Sequence, residues 1–219
     1  RPRDWSSDVC SSDLTATLQA GDKPDLIEVT SFGMDQLARD GYIRAESRTE
    51  VAHAVIGLAV RDGAPAPGIA SADALKRALT EARRVAYVNP RFAGQVGVNM
   101  MTFLDRLGMK DEVAKKSVLA FTGEEAVEKV AKGEADLVIA FVSEILPVRG
   151  AKWLGPVPRE TQVPTSYSAA IGAGSANPAL ARALLDAVRI PEGQRTIREA
   201  GDRKSTRLNS SHVALSRMP

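Results

Sequence analysis

An α/β fold in two lobes, with a mostly parallel sheet, is what the sequence predicts, and three observations carry it. Short apolar runs alternate with helical segments from residue 15 to 201. The β-rich run at 50–60 is unusually long for one strand, and proline-spaced extended material returns at 152–174. A chain that crosses to a second lobe and comes back needs two extended crossing segments, and these runs supply them. The expected division is 15–62 and 146–201 for lobe one and 63–145 for lobe two.

The elements follow in order. "DLIEV" (25–29) reads as a strand ending at Thr30-Ser31, and "GMDQLARDGYI" as a helix closed by Gly41. "EVAHAVIGLAVRDG" (50–63) is the long β run. A helix over 72–83 follows, capped by Ser71, with Leu75 and Leu79 on one face. Strand 84–88 leads into "NPRFAGQVG", after which a helix is expected from about Gly97-Val98, with Met101, Leu104 and Leu107 facing the core. Thr122 and Glu125 form a capping box ahead of "AVEKVAKG", which stops at Gly133. "ADLVIAFV" (135–142) is apolar on both faces, as a buried strand is. "KWLGPVP" (152–158) is extended, and "SYSAAIGAG" (166–174) alternates like a strand. Asn177-Pro178 then opens a helix with Leu180, Leu184 and Val188 in register. A last short helix runs from near Pro191 to Gly201.

The two ends have another character. Residues 1–14 and 202–219 are rich in Ser, Arg and Asp, show no sustained period, and resemble translated sequencing-adapter read-through; they are set aside as non-native. They hold six of the 29 basic and four of the 27 acidic residues, which leaves 23 of each in the body and no net charge. A neutral body with few aromatics and no basic cluster argues against a nucleic-acid partner. Cys10 lies in the first end, so the body excludes disulfide scaffolds and cysteine-ligated zinc. No apolar run approaches the roughly 18 residues that span a bilayer.

Chemistry is sparse. The body has one histidine, His53, inside the β run; as a general base it would be isolated, and a half-buried crossing-strand residue is the plainer reading. No cluster has metal-ligand spacing, and neither phosphate-binding glycine motif occurs. These residues predict no enzyme, no metal and no cofactor. The loop at 91–97 is different, since Gly94 and Gly97 let backbone approach a ligand and the helix that follows offers free amides and a dipole to an oxyanion. The same glycines also suit a plain βα turn. Tyr167, flanked by Ser166 and Ser168, fits either a core or a neutral donor. Glu144 stands near a strand's carboxyl end as ligand residue or cap, and Arg91 as site charge or solvated side chain.

"PDLIEVTSFGMDQLARDGYI", "GLAVRDGAPAP", "SADALKRAL", "YVNPRFAGQVGVNMMTFLDRLG", "GEADLVIAFVSEILPV" and "VPTSYSAAIGAGSANP" cover nearly all of 21–201. Together and in this order they resemble the periplasmic type 2 substrate-binding proteins of ABC importers, the molybdate-binding-protein-like group in particular. The resemblance implies a two-lobed type 2 fold with an incomplete first lobe, since two expected serine contacts and the first strand fall before residue 15. It leaves one sheet edge uncovered. It also implies a monomer in the periplasm, with no signal peptide in this stretch. Its partners would be a small, molybdate-like anionic ligand and the membrane permease of an ABC importer. Carried over by position, the donors are the loop at Gly94, the amides of Val96 and Gly97, the amide of Ala140, the phenol of Tyr167 and Ser31. Phe92 and Val96 stand where relatives often have small hydroxylated residues. A ligand-sensing domain of a transcriptional regulator, or a lobed enzyme using His53, would share the architecture.

Overall fold

The computed structural model describes residues 11–201 and 203–204. Its first helix, α1 (Ser11–Gln19), begins inside the segment that composition sets aside. Strand β1 (Leu26–Thr30) passes directly into α2 (Ser31–Arg39), because the Thr30 side chain accepts a hydrogen bond from the Gly33 N–H and caps the helix. The helix therefore starts two residues before the expected Gly33. It closes through Gly41, whose φ of 75° a residue with Cβ rarely adopts.

The long β run is two strands. β2 (Thr49–Ala54) and β3 (Ile56–Arg61) belong to different sheets, and the chain crosses between them at Val55. The remaining strands are β4 (Val85–Val88), β5 (Ser117–Ala120), β6 (Leu137–Phe141), β7 (Ala151–Pro156), β8 (Thr165–Ile171) and β9 (Arg203–Lys204). The larger sheet has the order β5-β4-β6-β3-β7, and the smaller β1-β8-β2-β9. β5, β4 and β6 pair in parallel, whereas β3 pairs antiparallel with both β6 and β7, and β8 antiparallel with both β1 and β2. The expectation of a mostly parallel sheet thus holds only for three strands. Strands that cross between lobes must run back against their neighbours, and this imposes the antiparallel pairs. β3 and β7 were expected in lobe one, but both lie in the five-stranded sheet, so that sheet spans 56–156 rather than 63–145. β1 stands at the edge of the smaller sheet.

The helices after β3 are α3 (Ala72–Glu81), α4 (Gly94–Arg106), α5 (Lys110–Ala114), α6 (Gly123–Ala131), α7 (Val142–Ile145), α8 (Pro178–Arg189) and α9 (Pro191–Glu199). On one face of the larger sheet, α3 and α4 bury Leu75, Leu79, Phe103 and Leu104 against Leu58 and Ile139. α6 buries Val127 and Val130 on the other. Each such side chain contributes about 1.5–3 kcal/mol relative to exposure. On the smaller sheet α2 covers Ile27, Val29 and Ala170, and α8 covers Val51, Ala169 and Ile171. α8 differs from expectation: Ala181 and Leu185 are buried, while Leu180 and Leu184 are exposed. Its apolar stripe is wider than the sheet it meets, and the sheet takes the 181/185 edge.

One side chain ties the two crossings together. The Gln162 carboxamide accepts from the Ile56 N–H at 3.1 Å and donates to the Ile56 and Val157 carbonyls at 2.9 and 3.2 Å. It gives the Ile56 N–H an acceptor where the chain changes lobes, while the Ile56 carbonyl also accepts from the Val157 N–H at 3.0 Å.

Candidate functional site: the cleft between the sheets

β2 runs into Val55, and the Val142 N–H at the end of β6 donates to the Val55 carbonyl at 2.8 Å. The carboxyl ends of β4, β5 and β6 therefore meet the carboxyl ends of β1 and β2 at the crossing. Open α/β sheets place ligands at such ends. The segments leaving β1 and β4 supply Ser31, Gly94, Val96 and Gly97, while Ala140 lies within β6 and Tyr167 within β8.

The wall from the larger sheet is built on α4. Its start is at Gly94, three residues before the expected position, and Ala93 at the cap provides no side-chain acceptor or donor. The amides of Gly94, Gln95 and Val96 are thus the uncapped first turn. Gly97 corrects the expectation: its N–H donates to the Ala93 carbonyl at 3.2 Å and is not open. Its glycine identity has a steric cause, since a Cβ there would lie 2.7 Å from both Cα and the carbonyl oxygen of Pro90. Gly94 has φ 50°, which lets the loop turn sharply into the helix. Ala140 is buried within β6, opposite Gly57 of β3, and the strand's exit lies beyond it at Phe141. Glu144 is a cap. Its carboxylate accepts from the Phe141 N–H at 2.9 Å and packs against Gly123 at the start of α6.

The aromatic content of this wall is unusual. Phe92, just before α4, stacks on Phe121, just after β5, with ring centroids 5.4 Å apart and planes at 21°. Both rings are more than half exposed. The Phe121 N–H donates to Glu125 at 2.8 Å, which fixes its backbone and lowers the Glu125 carboxyl below the usual range.

The wall from the smaller sheet is built of side chains. The hydroxyls of Ser31, at the first turn of α2, and Ser168 share a hydrogen bond at 2.8 Å. One pleat along β8, the Ser166 hydroxyl bonds His53 Nδ1 at 2.9 Å, and His53 Nε2 is 3.4 Å from Glu50. Alternation along β8 puts Ser166 and Ser168 on one face and Thr165 and Tyr167 on the other.

The predicted residues therefore divide. Tyr167 joins α4, because the Thr165 hydroxyl two residues away accepts from Asn99 of α4 at 2.7 Å, and Gln95 donates to Asn99 at 2.9 Å. Tyr167 and Val96 also pack on the same apolar cluster. Ser31 lies across β8 from Tyr167, with His53. Asn99, Thr165 and Gln162 had no sequence signal beyond being polar in apolar surroundings. At the carboxyl end, Gly201 approaches Val142 and Ser143 within 3 Å of where its Cβ would stand, and β9 then pairs with β2 opposite Ala52 and His53.

Comparison with known proteins adds three findings. The model of the bacterial extracellular solute-binding protein family matches residues 7–203. A curated protein of a Pseudomonas species named aconitate isomerase is 31% identical over 202 residues, covering 86% of this chain and 76% of that protein. Among solved structures, the Azotobacter vinelandii periplasmic molybdate-binding protein superposes with a TM-score of 0.74 at 22% identity, covering 90% of this chain and 85% of that one. The sulfate-binding protein of Mycobacterium tuberculosis superposes with a TM-score of 0.69 at 18% identity, covering 90% and 74%. These structural likenesses establish the fold.

Proposed function

This chain belongs to the bacterial extracellular solute-binding protein family, and from that premise we propose that it captures a small oxyanion in the cleft between its sheets for uptake through an ABC permease, from the periplasm. The observation that carries the reading is the uncapped first turn of α4, tied to β8 of the other lobe by the Asn99–Thr165 bond beside Tyr167. Neutral dipoles of this kind hold an anion and release it without separating a tight ion pair. Closure of the lobes on the anion would present the form that the permease reads.

The test is a thermal-shift panel of molybdate, tungstate, sulfate and small carboxylates on the full chain. A ligand at one hundred times its Kd stabilises by about 2.7 kcal/mol, or about 5–10 °C for a protein of this size. Absence of any shift across the panel would retire the capture reading.

A second reading has its own support. The relative named aconitate isomerase is more similar in sequence than the binding proteins of known structure quoted above, and His53 stands at the carboxyl end of β2 with both ring nitrogens engaged. Isomerising an unsaturated polycarboxylate needs one base. It removes a proton from the carbon beside the double bond, the electron pair shifts through the allylic system, and the proton returns at the other end. His53 would take that proton on Nε2 once this nitrogen leaves Glu50 at 3.4 Å, with Ser166 holding Nδ1. Incubation with trans-aconitate, followed by proton NMR for the cis form, tests it; turnover retained in His53→Gln would remove His53 from the role.

A further inference from the structure

Three of the five phenylalanines are exposed, and all three follow the carboxyl ends of strands: Phe32 after β1, Phe92 after β4 and Phe121 after β5. The other two, Phe103 and Phe141, are buried. A phenylalanine side chain left in water forgoes the gain of burial, and two of the exposed rings here are paired. Phe92 and Phe121 form a flat stacked pair whose backbone is fixed on both sides. Asn89 N–H donates to the Ala120 carbonyl at 2.7 Å, the Phe92 N–H to the Asn89 carbonyl at 3.1 Å, and the Phe121 N–H to Glu125. Phe92 is two residues from the first helical residue of α4, so an aromatic surface and open amides adjoin.

A tetrahedral inorganic oxyanion has no use for such a surface. It is small, strongly hydrated and without a planar or apolar part. A carboxylate conjugated to a carbon–carbon double bond is flat, and it carries charge at one end and a π face along its length. We infer that the Phe92–Phe121 pair selects a planar, unsaturated polycarboxylate over molybdate or sulfate, with one carboxylate at the first turn of α4 and the conjugated segment along the rings. This rests on the capture reading and narrows its ligand. The charge of the ligand meets the amides, and its flat face meets the aromatic pair.

The test compares trans-aconitate with its saturated analogue tricarballylate, and both with molybdate and sulfate, by calorimetry on the full chain and on Phe92→Leu and Phe121→Leu. Leucine keeps the apolar bulk and removes the π face, and both positions are exposed enough that one variant suffices should the other fail to fold. The expected result is tighter binding of aconitate than of tricarballylate by roughly three- to ten-fold, as aromatic pairing contributes in other settings. Each leucine variant should erase most of that ratio by weakening aconitate more than tricarballylate. Equal affinities for the saturated and unsaturated acids, or an unchanged ratio in both variants, would overturn the inference. So would binding of molybdate or sulfate in preference to every carboxylate, an outcome that leaves capture itself standing. A chain that binds no anion of either class would overturn both.

Discussion

The two sides of the proposed cleft are made of different materials. The smaller sheet offers side chains, namely the Ser31–Ser168 hydroxyl pair and the Ser166–His53–Glu50 chain. The larger sheet offers backbone and rings, namely the first turn of α4 and the Phe92–Phe121 stack. A side-chain wall is edited one substitution at a time, whereas a backbone wall is lost only when its geometry is broken. The binding reading therefore predicts that equivalent-looking substitutions on the two walls fail in different ways.

The largest effect belongs to the residue that joins the walls. Gln162→Ala strips the Ile56 N–H of its acceptor in a fully buried position. An orphaned buried donor costs about 1–3 kcal/mol. Chemical denaturation should show a lower midpoint, and an unchanged slope would place the loss in stability and not in the compactness of the unfolded chain. Wild-type stability would mean that the hinge is held elsewhere.

Breaking the backbone wall comes next. Gly97→Ala drives a methyl against the Pro90 backbone, which cannot swing aside as a flexible side-chain end would. Overpacking of this kind costs about 1–3 kcal/mol, and the better helix propensity of alanine returns up to about 1. Anion binding should fall with it, because Pro90 and the α4 amides move together. A stable variant with unchanged affinity would separate the glycine from the site.

The first crossing was legible because the β-rich run at 50–60 is longer than one strand, and the second because proline-spaced extended material returns at 152–174. The break at Val55 was not, since no Gly or Pro marks it and the change of sheet is decided by β8 and β6, far along the chain. The start of α4 was placed too late because Gly94 reads as loop, yet at φ 50° it is both turn and first helical residue. β5 was missed: four residues with one fully buried position carry no alternation, and pairing with β4 makes them a strand. Ser31 and Tyr167 were named by likeness of sequence, but their placement on opposite sides of β8 follows from register, which no local pattern reports. Phe92 looked like a departure from an inorganic-oxyanion site, and its stack with Phe121 is what the proposed flat ligand would use.

The side-chain wall should yield more gently. Ser168→Ala removes one hydroxyl of the pair with Ser31 and costs about 0.5–1.5 kcal/mol of stability. Anion affinity should drop roughly ten-fold or more, since a hydrogen bond to a charged group is about 1.5–3 kcal/mol. Calorimetry on the same ligand panel reads this directly. Affinity lost without stability would mark the pair as part of the site, whereas stability lost without affinity would make it scaffold.

The smallest effect sharpens the comparison from outside the cleft. Asp25, at the start of the edge strand's lobe, accepts from the Ser175 hydroxyl at 2.7 Å and from the Asn177 N–H at 2.8 Å, so it ties β1 to the entry of α8. These bonds, the Ser175 hydroxyl foremost, lower its pKa from 3.8 to about 2. A carboxyl depressed in the folded state stabilises above its unfolded value and loses that contribution as pH falls from about 4 through about 2. Thermal melts of wild type and Asp25→Asn should therefore differ at neutral pH and converge toward pH 2. The shift should appear in the lobe built on β1, β8 and β2, with the α4 wall and its affinity for anions unchanged, because no bond of Asp25 reaches the larger sheet among the described residues. A gap that persists undiminished at pH 2 would show that the tie acts through packing and not through charge.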